Sequence, residues 1–112
     1  MRVLLVFIFL ILTGCGAKKE IIKNTSNELE KFAYANCLMW YFDLKGYDSS
    51  DLRAISGGIV EKSDISIDQF QKVALIVKDL QLDLQTKNNI DNNLLKCFNL
   101  DKSDELSKVL GN

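Results

Sequence analysis

Three aspartates lie close together in the segment DLKGYDSSD, at Asp43, Asp48 and Asp51. Closely spaced carboxylates are the side chains from which calcium loops and acid–base pairs are built. The spacing does not fit a calcium loop, because a lysine and a tyrosine stand where oxygen ligands should alternate and no glutamate closes the segment. These aspartates are therefore predicted to shape turns and cap helices.

The chain contains no histidine. Its absence excludes Ser–His and Cys–His nucleophile pairs, and it excludes every metal site that uses an imidazole ligand. We therefore expect a protein that is not an enzyme and that has no catalytic residue, no cofactor and no metal. The 14 basic and 15 acidic residues give a formal net charge of −1. This charge offers no basic field, so no nucleic-acid partner is expected.

A glycine pair, Gly57 and Gly58, lies in the segment SGGIVE. A phosphate-binding loop needs more glycines in order, after a strand and at the start of a helix, and that context is absent. The pair is predicted to lie inside a helix, where the missing side chains would let another helix approach closely. A break in the helix and a ligand site are the alternatives.

The N-terminal segment MRVLLVFIFLILTGC has the organisation of an export signal. One charged residue, Arg2, precedes an apolar run from Val3 to Leu12, which is shorter than the roughly 20 apolar residues that a membrane-spanning helix needs. Small residues then lead to Cys15, and the letters LTGC resemble the lipobox of bacterial lipoproteins. An ordinary signal peptide and an uncleaved anchor are the alternatives.

The lipobox resemblance implies that residues 1–14 are a signal peptide and that Cys15 becomes the acylated first residue of the mature protein. Two or more acyl chains attach a protein stably to a membrane. Because Gly16 rather than aspartate follows the cysteine, the resemblance implies a lipid-anchored protein in the periplasm, on the periplasmic face of the outer membrane. Residues 15–26 are predicted to be the lipidated cysteine and a polar tether.

Removal of the signal peptide leaves 98 residues, enough for one small domain, which we place at residues 27–112. The first helix is predicted to begin near Thr25 or Ser26, where Thr25 and Glu28 form a capping box, and to end at Gly46. Its predicted inward face consists of Leu29, Phe32, Ala33, Cys37, Trp40, Tyr41 and Leu44.

Three further long helices are predicted from the same signals. The second begins in YDSSDL, the third begins at Ser66 with Gln69 as its capping partner, and the fourth runs from about Thr86 to Leu100. Their predicted inward residues are Leu52, Ile55 and Ile59, then Phe70, Val73, Val77 and Leu80, then Ile90, Leu94, Cys97 and Phe98.

A short last helix is predicted to be capped by Ser103 and ended by Gly111. Its apolar side chains Leu106, Val109 and Leu110 are predicted to pack against the rest of the domain. No long segment alternates with period two, and the chain has no proline. The sequence therefore predicts an all-α fold, a compact bundle of four to five helices joined by short loops.

Two cysteines, Cys37 and Cys97, remain once Cys15 is lipidated. An even pair in an exported domain indicates a disulfide. Both lie on predicted inward faces, so antiparallel packing of the first and fourth helices would bring them together. Closing a loop of about 60 residues would stabilise the fold by about 4 kcal/mol. Two free buried thiols are the alternative.

The segment FAYANCLMWYF is apolar on nearly every side of the predicted first helix. Tyr34, Leu38, Met39 and Phe42 lie outside its inward stripe. A helix of this kind is normally buried centrally, which is the favoured interpretation. Alternatively a homodimer contact or another partner covers part of it, because exposed aromatic and methionine patches mark interfaces. Both can hold.

The chain resembles the type VI secretion amidase immunity proteins in four motifs that occur in order: FAYANCL (32–38), AISGGIVE (54–61), SIDQF (66–70) and KCFNL (96–100). The resemblance implies an all-helical periplasmic protein, often dimeric. It implies binding to a cognate effector, a papain-like cysteine amidase that cuts peptide cross-links in peptidoglycan. Inhibition would be by occlusion, with an element of the immunity protein filling the catalytic groove.

The predicted partner-binding residues are Glu61, Lys62, Ser63 and Asp64, in the polar turn after the second helix, and Asp68 beside it. Only Glu61 matches a letter of the family pattern, and the others are chosen as exposed and mostly charged. Plain solvated turn residues are the alternative. For the whole protein, a structural or assembly lipoprotein of an envelope complex is the alternative. A small-ligand carrier is disfavoured, because no polar cluster converges within an apolar stripe.

Overall fold

A computed structural model of the chain describes residues 17–85 and 89–111, with side chains from residue 27 onward. The predicted signal peptide and the predicted lipidation site, Cys15, lie outside these residues. No strand occurs in the described part, and the predicted all-α bundle of four to five helices is confirmed. The helices are α1 (Ala17–Lys45), α2 (Ser50–Lys62), α3 (Ile67–Asp79), α4 (Asn92–Leu95) and α5 (Asp104–Leu110), with 3₁₀ turns at Lys96–Phe98 and Leu100–Lys102.

Helix α1 is the central element, because α2, α3, α4 and α5 all pack against it. It begins at Ala17, before the predicted start at Thr25, so the predicted tether is helical from Ala17 onward. Its first residues, AKKE, are good helix formers, and no glycine or proline interrupts the stretch. The helix ends as predicted, since Gly46 has a φ of +73° and the Tyr47 N–H donates to the Phe42 carbonyl over 2.9 Å.

The apolar segment of α1 is for the most part buried, as the favoured interpretation predicts. Met39, which lies outside the inward stripe, is buried as well. Leu44 is wrong as an inward residue, because it lies in the last turn of the helix and is 65 % exposed. Tyr34 also remains at the surface. The core residues that α1 contributes are Leu29, Phe32, Ala33 and Cys37.

Helix α2 contains the glycine pair, as predicted, and faces the core with a stripe that includes the buried Ser56 and the half-buried Ile59. Ile55, predicted to face inward, is 53 % exposed, so that prediction is wrong. Close helix packing at the glycines is wrong too. A Cβ atom built on Gly57 or Gly58 meets no atom of another element within 4 Å, so both glycines face open space.

Helix α3 begins where the sequence predicts, and α5 both begins and ends where the sequence predicts. Ser66 caps α3 by accepting a hydrogen bond of 3.4 Å from the Gln69 N–H, and Ser103 caps α5 by accepting one of 3.1 Å from the Leu106 N–H. Gly111 ends α5 with a φ of +83°. The buried residues of the two helices are Phe70, Val73, Val77, Leu106 and Leu110.

The predicted fourth helix from Thr86 to Leu100 is wrong. In its place the structure has the short helix α4, which is followed by the two 3₁₀ turns. Asp91 caps α4 by accepting a hydrogen bond of 2.8 Å from the Asn93 N–H. Asparagine side chains can compete for backbone hydrogen bonds, so the composition of the segment KNNIDNN favours turns over a long helix.

The inward residues of this segment differ from the prediction for the same reason. Cys97 is buried as predicted, whereas Ile90 and Phe98 are 43 % and 60 % exposed. A periodicity of 3.6 residues does not continue through 3₁₀ turns, which have three residues per turn. The chain therefore turns Phe98 outward directly beside a buried cysteine.

Candidate partner-binding surface

The predicted partner-binding residues lie together at the connection between α2 and α3. Glu61 and Lys62 end α2, Ser63 is its C-cap, and Asp68 is in the first turn of α3. All are exposed except Ser63, which is half-buried, and Asp64 is exposed as well. The structure thus places four charged side chains on one short surface turn.

This turn is held in place by hydrogen bonds of Ser63. The Ser63 hydroxyl donates to a carboxylate oxygen of Glu28 on α1 over 2.6 Å, and it accepts from the Ile65 N–H over 3.1 Å. Ile65 itself packs against the core. The turn is therefore fixed to the central helix on one side and to the core on the other.

A shallow groove between α1 and α2 adjoins this turn. Its floor is open at Gly58, and Ile55 beside it exposes half of its surface. A second apolar side chain, Ile67, is 63 % exposed next to Asp68. The charged turn thus has apolar surface on both sides. The groove is lined by Glu28, Lys31, Ala54, Ile55, Gly58, Ile59 and Lys62.

Sequence reasoning missed both exposed isoleucines. Ile55 falls on the helical period that predicts burial. Ile67 lies three residues before the buried Phe70, so no pattern marks it as exposed. The only sequence signal for the groove is the glycine pair itself, which predicts a helix contact instead. No pattern in one sequence separates a glycine facing a helix from a glycine facing solvent.

The predicted pairing of Cys37 with Cys97 is confirmed, with the two Sγ atoms 2.07 Å apart and the Cα atoms 5.5 Å apart. Both sulfurs are buried. Close to the bridge, Tyr34 and Phe98 meet edge to face with ring centroids 5.5 Å apart. The disulfide therefore joins the two segments that carry this exposed aromatic pair.

The aspartate cluster follows the prediction in part: Asp48 shapes the turn between α1 and α2, whereas Asp43 lies inside α1 and Asp51 in the first turn of α2. Asp43 accepts hydrogen bonds from the Ser49 hydroxyl over 2.7 Å and from the Arg53 guanidinium over 2.6 Å. Asp48 accepts from the Ser50 N–H over 3.0 Å, and this backbone hydrogen bond lowers the pKa of the Asp48 carboxyl. These carboxylates hold the start of α2 against the end of α1.

An ion pair also connects the end of α1 to the cap of α4. The Lys45 ammonium lies 2.7 Å from the Asp91 carboxylate, at the cap of α4. The hydrogen bond between them, together with its charge, raises the pKa of Lys45 and lowers that of Asp91. The Asn93 N–H adds a further hydrogen bond to Asp91.

Within residues 17–85 and 89–111, no cluster of three or more potential ligand side chains is arranged to hold a metal ion. No helix in that part is long and apolar enough to cross a membrane. Comparisons of the chain with protein-family profiles, with curated proteins and with solved structures give no match.

Proposed function

We propose that this chain is an immunity protein that binds a papain-like peptidoglycan amidase delivered by type VI secretion and occludes its catalytic groove. The observation that carries the proposal is the fixed turn between α2 and α3, with exposed Glu61, Lys62 and Asp64 around Ser63. A turn that is already ordered loses little conformational entropy when it inserts into a groove.

The order of the family motifs supports the proposal. FAYANCL and KCFNL carry the two cysteines, which are bonded to each other although 60 positions separate them. AISGGIVE forms the part of α2 that leads into the turn, and SIDQF begins α3 directly after it. The four motifs thus belong to the turn, to the helices beside it and to the bridge.

The surface around the turn supplies both charge and apolar contact. Glu61, Asp64 and Asp68 outnumber Lys62, so the turn fits a partner groove with a basic rim. Ile67 adds an exposed apolar contact, and the groove at Gly58 can accept a side chain from the partner. The inhibitor contributes no reacting group, and it acts by excluding the wall peptide from the amidase thiolate.

We also propose a cellular location for the protein. The chain would be anchored through acyl chains on Cys15, with the helical domain in the periplasm. There it would protect the cell from amidase delivered by itself or by a sibling. A homodimer is part of the proposal, with the exposed Tyr34 and Phe98 as the apolar surface available for it.

The test is inhibition of a papain-like amidase, which is first sought in the genes beside this one. The purified mature domain is mixed with that amidase, and digestion of peptidoglycan is followed. Excess domain is expected to stop digestion. Glu61→Lys and Asp64→Lys, as single variants, are each expected to weaken inhibition about tenfold, while Asp83→Lys, in an exposed loop, serves as the charge-matched control for either one. Undiminished digestion in the presence of excess domain overturns the proposal.

A second candidate function is a structural or assembly lipoprotein of an envelope complex. The observation that favours it is the exposed apolar end of α1, where Leu44 and Tyr47 are 65 % and 56 % exposed. An apolar patch of this kind marks a docking surface. A neighbouring gene for a secretion or pilus apparatus without an amidase favours this function over inhibition.

A further inference from the structure

A second site lies in a pocket between α1, α3 and the start of the 3₁₀ turns. Its size is about 160 Å³, below the roughly 300–1,000 Å³ of sites for drug-sized ligands. A pocket of this size takes one side chain rather than a whole ligand. It is lined by Trp40, Tyr41 and Leu44 of α1, Lys78 of α3, Asn93 of α4, and Lys96.

The floor of the pocket is a fixed indole ring. The Trp40 Nε1–H donates a hydrogen bond of 2.8 Å to the side-chain oxygen of Asn36, which is itself buried. The Lys78 ammonium lies 5.0 Å from the centroid of the indole, in cation–π contact. Leu44 adds an aliphatic side chain that is mostly exposed. The apolar part of the site is thus formed before any partner binds.

Two lysine ammonium groups lie at the edge of this floor without a bonded carboxylate. In the described part of the chain the ion pairs are Lys45–Asp91 and Arg53–Asp43, which involve neither Lys78 nor Lys96. The Lys96 ammonium donates to the Leu80 carbonyl over 3.1 Å, and it has further hydrogens to donate.

The surroundings of Lys96 favour an anionic occupant. Burial lowers the pKa of the Lys96 ammonium, and the charge of Asp79 only partly opposes this effect. An additional carboxylate at the pocket would compensate the desolvated charge directly. The amide of Asn93, in the same lining, can supply one more hydrogen bond.

We infer that this pocket binds the carboxylate of a glutamate or aspartate in a peptide segment of a partner protein, with a neighbouring aliphatic side chain on Trp40 and Leu44. Charge complementarity selects this occupant. Two lysines are too few for a membrane surface or a nucleic acid, which engage extended clusters of basic residues. This site is separate from the turn proposed to contact the amidase.

Trp40 reports on the site, because it is the only tryptophan of the chain. The full chain in nonionic detergent is titrated with acetyl-Leu-Glu-Leu amide while tryptophan emission is recorded. The emission is expected to change saturably. The glutamine peptide, acetyl-Leu-Gln-Leu amide, is expected to bind about tenfold more weakly, which corresponds to about 1.4 kcal/mol. Equal binding of the two peptides, or no saturable change with the glutamate peptide, overturns the inference.

Three lysine variants test the residues. Lys78→Met and Lys96→Met keep an aliphatic stem and are each expected to weaken the glutamate peptide about tenfold, whereas Lys72→Met, on α3 but outside the pocket, is expected to leave its binding unchanged. Near-UV circular dichroism checks folding. If Lys96→Met misfolds, the result with Lys78→Met decides whether the inference stands. The Lys78 ammonium contacts the Trp40 ring and makes no hydrogen bond within the described residues, so its removal should leave the fold intact.

A titration with a lipid distinguishes a peptide occupant of the pocket from a lipid headgroup. Short-chain phosphatidylglycerol, added below its micelle concentration, is expected to leave Trp40 emission unchanged. If this lipid changes the emission saturably and the glutamate peptide does not, the occupant is a lipid headgroup and the inference of a peptide partner is overturned. Binding of the peptide alone supports it.

Discussion

Ser63, the C-cap residue of α2, donates a hydrogen bond of 2.6 Å to the carboxylate of Glu28, which lies 35 positions earlier on α1. The bond connects the surface turn to the central helix directly. The turn therefore keeps its position relative to α1 without help from a partner. This contact contributes to the stability of the fold and to the order of the turn proposed to act in inhibition.

Ser63→Ala removes the hydrogen bond to Glu28 and the one accepted from the Ile65 N–H. We expect the free energy of unfolding to fall by about 1–2 kcal/mol, because the half-buried carboxylate loses a charged hydrogen bond. Urea denaturation measures this change. Ser107→Ala is the control, since among the described residues the Ser107 hydroxyl makes a single long contact of 3.5 Å, and a change below about 0.5 kcal/mol is expected. Equal effects of the two substitutions would contradict the assignment.

The disulfide between Cys37 and Cys97 closes a loop of 60 positions. Replacing both cysteines by alanine is expected to lower the free energy of unfolding by about 4 kcal/mol, because the unfolded chain regains the entropy of the open loop. Guanidinium denaturation of the variant and of the oxidised protein measures the difference. An unchanged midpoint would show that the bridge does not form in solution.

Gly58→Ala tests the open space above the glycine. Because a Cβ atom there meets nothing within 4 Å, the substitution is expected to stabilise α2 by about 0.5–1 kcal/mol. Close helix packing would predict the opposite sign. Thermal unfolding monitored by circular dichroism distinguishes the two.

Gly58→Trp tests the groove as part of the amidase contact. The indole would fill the floor of the groove, and inhibition is expected to fall about tenfold. Gly57→Trp is the matched control, because Gly57 is exposed in the same helix and does not line the groove. If both variants inhibit as well as the unsubstituted domain, the partner does not enter the groove.

The ion pair of Lys45 with Asp91 predicts a dependence of stability on pH. The folded pKa of Asp91 lies below its ordinary value of 3.8, so its contribution is present above that value and is lost as pH falls through the folded pKa. The folded pKa of Lys45 lies above 10.5, so its contribution is present below that value and is lost as pH rises through the folded pKa.

Asp91→Asn isolates this pair, because asparagine still caps α4 by accepting from the Asn93 N–H. We expect the variant to be less stable than the unsubstituted chain at neutral pH and equally stable well below pH 3.8. Urea denaturation at several pH values measures the difference, which should also shrink in high salt. A difference that is constant with pH would exclude the ion pair as its cause.

The sequence predicts those features that depend on a few neighbouring residues. Ser66 with Gln69, Ser103 and Gly111 mark helix ends through local hydrogen bonds and backbone preference, and these ends are correct. The buried stripe of α3 is correct as well, because a regular helix keeps its period.

Apart from the disulfide, which the cysteine count predicts, features that depend on distant residues were not predictable. Phe98 follows a buried cysteine in an apolar segment, yet the disulfide and the 3₁₀ turns direct its ring outward onto Tyr34. Ile55 is exposed although it falls on the helical period of the inward stripe. The hydrogen bond between Ser63 and Glu28 requires the final packing of two helices, which no local pattern specifies.

The bond between Cys37 and Cys97 also makes the fold depend on the compartment in which the chain lies. In a reducing compartment the two thiols stay separate, and the described segment after α3, which consists of short helices and turns, loses its covalent attachment to α1. A chain in that state unfolds more readily, so the redox poise of the surroundings sets the stability of the fold.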